Sequence, residues 1–234
     1  IVAIALAGEL ATDPAAEICR AALAAPRADV RHQAATALRM TFIAIGASSS
    51  PPMQSSAVSG LLTQLAERVK VEPDGLVLMA DVRALAAAAA TPAFRDEAVT
   101  ALSSSVSAIS GKPGQGQLDV SHAEAILTAA IAVRDVLATP GVTLQPATAK
   151  AAAELGGFIV KFAARNVEGG KVPMQGKDPI RTNVADLAVT GQNLVLLAGQ
   201  RLQPGWQAPS PPPLADDTLK ALRDATREGD AKFA

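Results

Sequence analysis

The stretch Val30-Arg31-His32-Gln33-Ala34-Ala35-Thr36-Ala37-Leu38 returns sixty-four residues later as Phe94-Arg95-Asp96-Glu97-Ala98-Val99-Thr100-Ala101-Leu102. Both copies follow one pattern, apolar-Arg-x-(Gln/Glu)-Ala-x-Thr-Ala-Leu. An amphipathic helical unit that recurs buries its apolar face mainly against other copies of the unit, so the repetition predicts an architecture of stacked helices. It carries little chemistry.

Working outward, helical periodicity dominates the chain, and no segment alternates apolar and polar residues with the β-branched and aromatic enrichment of a strand. The expected fold is all-α, with about ten helices. Their starts are marked by Pro behind a polar or capping residue, at Asp13-Pro14, Glu72-Pro73-Asp74, Thr91-Pro92, Gln145-Pro146 and Asp178-Pro179. Proline suits a first helical turn because the amide it lacks has no partner there. The expected helices are 1–11, 14–25, 28–45, 54–70, 74–90, 92–110, 119–138, 146–168, 179–202 and 214–229. Helices 74–90 and 119–138 carry so little charge that several neighbours should cover each of them.

Three regions follow: a helical body, 1–202; a Pro-rich tether, 203–213; and a C-terminal helix and tail, 214–234. Ile1 stands where a Met would start a chain, the pattern of a processed or truncated product whose first helix extends upstream. A signal-peptide remnant is disfavoured, because no basic leading region precedes the apolar run.

Nearly half the residues are apolar (49 %), chiefly Ala, with five Phe, one Trp and no Tyr. Such a core needs closely approaching helices filled by Leu, Val, Ile and Ala. The longest apolar run, Ala84 to Ala90, falls far short of the ~20 residues of a membrane-spanning helix. Basic and acidic residues balance at 21 and 22, which removes the electrostatic argument for a nucleic-acid partner.

The stretch from Ile18 to Leu38, with Asp29-Val30-Arg31 opening the second helix and Ala34-Ala35-Thr36-Ala37-Leu38 continuing it, resembles a HEAT repeat. Leu85 to Leu102, with Thr91-Pro92-Ala93-Phe94-Arg95 at its turn, is a looser copy. The resemblance implies an irregular HEAT-like α-solenoid, a stack of antiparallel helix pairs. The sixty-four-residue spacing exceeds the ~40 to 47 residues of HEAT and armadillo units, which calls for an extra helix, 54–70, between the copies. Val30, Arg31, Leu38, Phe94, Arg95 and Leu102 are the structural repeat positions. A cation in a first helical turn opposes the helix dipole unless an acid compensates. Asp29 and Asp81 are the expected acceptors for Arg31 and Arg95.

No catalytic, cofactor-binding or metal-binding residue is expected. His32 and His122 are the only imidazoles, and with Cys19 as the one cysteine they do not make a four-ligand zinc set. Gly170 to Asp178 fails as a phosphate loop on spacing, on Asp178 in place of a hydroxyl residue, and on the missing strand. The expected function is a non-catalytic protein-interaction scaffold that binds another protein or the rest of a longer chain. Trp206, the only Trp, and the basic residues Lys161, Arg165 and Arg181 are the expected partner contacts. Lys150 to Arg181 holds six basic residues against three acidic ones. The alternative is a histidine phosphotransfer-type bundle using His32, since such modules are all-α with an exposed His. Compartment and oligomeric state have no signature in the sequence.

Overall fold

A computed structural model describes residues 2–50, 52–109, 120–172 and 178–203. Among these the chain forms nine α-helices and one 3-10 turn, and no strand. The helices are α1 (Val2–Leu10), α2 (Asp13–Leu23), α3 (Ala28–Ala47), α4 (Ser55–Val71), α5 (Gly75–Ala90), α6 (Arg95–Ile109), α7 (Val120–Ala138), α8 (Pro146–Glu168) and α9 (Pro179–Leu202), with the turn at Pro92–Phe94. These correspond to the first nine expected helices. The tenth, 214–229, and the tether with Trp206 lie outside the described residues.

The start signals act as their chemistry dictates, with one shift. Asp178 caps α9 by accepting the Ile180 amide at 2.8 Å, just ahead of Pro179. At α5 the cap is Asp74, which accepts the Leu76 and Val77 amides, so Pro73 stands outside the helix rather than in its first turn.

The helices form two rows. In one, α1 packs on α3, α3 on α5, α5 on α7, and α7 on α9; in the other, α2 packs on α4, α4 on α6, and α6 on α8. Consecutive helices cross between the rows, most extensively at α8 and α9. Each of α5 and α7 touches four other helices, as their low charge requires. Between α5 and the stretch from Pro92 to Ile109 the chain bends by 105°, so this pair crosses at a steep angle instead of folding straight back.

Both copies of the nine-residue pattern bury the same positions: Ala34, Ala35 and Leu38 in α3, and Ala98, Val99 and Leu102 in α6, are fully enclosed. Two helices, α4 and α5, lie between the copies, however, so they fall in opposite rows. The shared pattern marks a common way of burying one face rather than a common place in the array.

Small residues bring the helices together. A Cβ placed on Gly8 of α1 would stand 2.6 Å from the Ala37 carbonyl oxygen of α3. At the α8–α9 crossing the requirement is reciprocal: a Cβ on Gly156 would meet the Gly191 carbonyl oxygen at 2.7 Å, and one on Gly191 would meet the Gly156 oxygen at 3.0 Å. The inner face of α8 has Leu155 and Ile159 fully buried, and the Asn166 amide donates to the Phe162 carbonyl at 2.8 Å. Leu202 is exposed, because it lies in the last turn of α9, past the buried Ala198.

Gly156→Ala is expected to cost about 1 to 3 kcal/mol by overpacking the crossing. Gly157→Ala, whose Cβ would meet nothing within 4 Å, is expected to be neutral or to stabilise by about 0.5 to 1 kcal/mol through helix propensity. Urea denaturation of the two variants checks the pair, and equal effects would contradict the close approach.

Candidate functional site

The densest group of buried charges sits where three segments meet: the first turn of α3, the end of α4 and the middle of α5. The Arg31 guanidinium reaches Glu72 through two hydrogen bonds, Nε to Oε2 at 2.9 Å and an Nη to Oε1 at 2.8 Å. Its other Nη donates to the Ala25 and Pro26 carbonyls at 3.1 and 2.8 Å. One side chain thus ties the α2–α3 turn to the α4–α5 turn. Arg68, one helical turn before Glu72, also donates to Oε2, and the Asp74 amide donates to Oε1 at 3.1 Å. The Glu72 side chain has no solvent exposure. A carboxylate so removed from water is tolerable only with this number of donors.

The expected ion pairs are therefore corrected. Asp29 is exposed and pairs with Arg27, at 2.6 and 3.0 Å, not with Arg31. Arg95 forms no ion pair among the described residues; it donates to the Ala90 carbonyl at 3.3 Å and leaves its buried Nε without a partner. The physical reason is reach. The acid that compensates Arg31 comes from the turn between α4 and α5, whereas Asp29 lies on the outer side of its own helix.

Asp81 has no exposure, and neither carboxylate oxygen accepts a hydrogen bond from the described residues. Burial pushes its pKa from 3.8 up to about 7, while the nearby Arg68 and Arg31 charges pull it down. Burial in turn lowers the Arg68 pKa; the Asp81 charge opposes this and the Arg31 charge adds to it. Two cations thus share one firmly held carboxylate, Glu72, and a second, Asp81, that is half protonated near neutrality. Neither of two surface grooves, one lined by α4, α6 and α8 and the other by α3 and α5, includes Asp81 or Glu72 in its lining. Enclosed in this way, the cluster suits a structural role.

Lys161 and Arg165 share the exposed stripe of α8, one turn apart. Arg181 is half-buried in the first turn of α9 and is engaged within the structure. His32 is exposed on the first turns of α3. Cys19 is fully buried, and burial pushes its thiol up to about 11. No group of three or more His, Cys, Asp or Glu able to hold a metal occurs among the described residues. No single described helix is long and apolar enough to cross a membrane.

No family model, curated protein or solved structure matches this chain. The site is therefore read from its own geometry.

Sequence reasoning missed the pairing role of Glu72, the two grooves and the exposed stripe of α1. The last had a visible signal. Val2 to Leu10 holds a single charge, Glu9, and a helix apolar all round expects cover on every side. In the structure α1 buries Ile4, Ala7 and Gly8 against α2 and α3, but Val2, Leu6 and Leu10 stay 75, 54 and 64 % exposed on the other side.

Because Asp81 binds its proton more tightly when folded than when unfolded, its contribution favours folding at low pH. That advantage is lost as pH rises from about 4 through 7. Stability is expected to fall between pH 5 and 8. Asp81→Asn is expected to remove that slope and to be more stable than the parent at pH 8, by up to about 4 kcal/mol at 1.36 kcal/mol per pKa unit. Urea titrations at pH 5, 6.5 and 8 check this; a parent slope that survives the substitution would contradict it.

Proposed function

We propose that this chain is a non-catalytic protein-interaction scaffold, built as an irregular HEAT-like α-solenoid, that holds another protein or the rest of a longer chain on its end surface. The solenoid reading is supported by the alternation of consecutive helices between two rows, each helix packing on the one two places ahead. The 105° bend after α5 and the placing of the two pattern copies in opposite rows are its irregularities.

The observation that carries the function is α1. Its uncovered residues Val2, Leu6 and Leu10 recur every four positions, the spacing of one helical stripe. Leaving three large aliphatic side chains in water forfeits about 1.5 to 3 kcal/mol each relative to full burial. A partner helix laid along α1 would bury that stripe much as α3 buries the opposite side. The body's charged groups support the same reading, since the buried cluster closes on itself and serves to lock the stack.

The experiment immobilises the intact chain, captures binding proteins from an extract of the source cells, and maps contacts by cross-linking. The expected result is a partner cross-linked to the α1 end, lost with Leu6→Asp/Leu10→Asp in a protein of unchanged helicity. A Trp206→Ala variant asks in parallel whether the tether contributes. Partners that bind the Leu6/Leu10 variant as well as the parent would contradict the placement at α1.

A further inference from the structure

The outer side of the α3–α5 contact carries a groove of about 500 Å³ with two arginines in its lining. Arg39, Ile43 and Gly46 line it from α3, and Arg83, Ala87 and Ala90 from α5. On each helix these positions step by four and then three residues, so each set forms one stripe, with an arginine at its start and a small residue at its end. Seven residues of helix span about 10 Å, two turns, so the groove has the length of a short peptide segment.

Both guanidiniums are exposed and neither forms a hydrogen bond or ion pair among the described residues; no carboxylate lines the groove. The second groove, between α4, α6 and α8, makes the contrast. Its charges are already used: Lys70 pairs with Glu67 at 2.6 Å, Glu97 accepts Ser59 at 2.7 Å, and Asp96 accepts the Gln145 amide at 2.9 Å.

We propose that the α3–α5 groove binds a short acidic, aliphatic segment of a partner protein, its carboxylates held by Arg39 and Arg83 and its aliphatic side chains resting on Ile43, Ala87 and Ala90. The inference rests on the scaffold reading and adds a second surface with a defined partner chemistry. Arginine holds a carboxylate with two parallel hydrogen bonds, which gives geometric specificity as well as attraction. The floor decides between an acidic peptide and a nucleic acid. Apart from Thr91 it is apolar, and it has no aromatic side chain on which a base could stack, while the chain as a whole has a net charge of −1.

The test is a displayed library of helical peptides selected on the intact chain, with counter-selection on an Arg39→Glu/Arg83→Glu variant. The enriched sequences are expected to place two acidic residues within one turn of Leu, Ile or Met. A synthetic peptide of that sequence should bind at least about tenfold more weakly to the charge-reversed variant and to Ala87→Trp, and more weakly at high salt. Circular dichroism and thermal melts show whether each variant keeps its fold; if one does not, Arg39→Gln and Arg83→Gln singly supply the comparison. Failure to enrich, enrichment without acids, or equal binding to the variants would overturn the proposal. So would a 12-nucleotide single-stranded RNA that binds with the same dependence on Arg39 and Arg83. Since Leu6 and Leu10 are untouched in these variants, a partner held at α1 would persist through any of those failures, and the two readings fail separately.

Discussion

The Arg31–Glu72 contact is the constraint on which the arrangement of the first five helices depends. The α2–α3 turn and the α4–α5 turn are distant in sequence, and nothing in local helix propensity says how they should meet. A guanidinium that donates to Glu72 and to the Ala25 and Pro26 carbonyls specifies both the distance and the orientation. Apolar packing alone tolerates sliding, because Ala and Leu faces are alike along a helix. A buried charge pair does not, because each displaced donor leaves an unsatisfied group in a medium that cannot solvate it.

Small residues complete the arrangement. Gly8 against Ala37, and Gly156 against Gly191, allow backbones to approach within the space a single Cβ would fill. In a chain with five Phe and one Trp, such close approach stands in for the bulk that large aromatic side chains give other cores. Dispersion contacts between near-touching helices are individually weak and numerous, which is how an alanine-rich interior gains cohesion. The consequence for function is an unequal surface. The middle of the stack is covered from several sides, whereas α1 has neighbours on one side only and keeps an apolar stripe in water.

How much of this was legible in the sequence follows from the range of each signal. Helix starts were legible because capping is local: Asp178 and Pro179 announce α9 within two residues. The recurrence of Val30–Leu38 at Phe94–Leu102 predicted which positions face inward, since burial register follows helical period. It did not predict the row, which depends on how many helices intervene. Glu72 was hidden by its setting, because in Glu72-Pro73-Asp74 an acid reads as part of a helix start, and forty-one residues separate it from Arg31. Arg39 and Arg83 come together only because alternate helices are neighbours in a row. From the sequence Asp81 is an acceptor for an arginine; in the fold its carboxylate is buried without a hydrogen-bond partner among the described residues.

The most direct measurement of the central claim is a double-mutant cycle on Arg31→Met and Glu72→Leu, read by equilibrium urea unfolding at one pH. Breaking a buried pair from either side strands a charge, at about 3 to 5 kcal/mol, while removing both replaces the pair by apolar groups of similar size and leaves only the partly exposed Arg68 without its carboxylate. The account predicts that the double variant loses far less than the sum of the single losses, with a coupling of at least about 2 kcal/mol. Additive losses would mean that the two residues do not meet, and would contradict the packing of α3 against the α4–α5 turn.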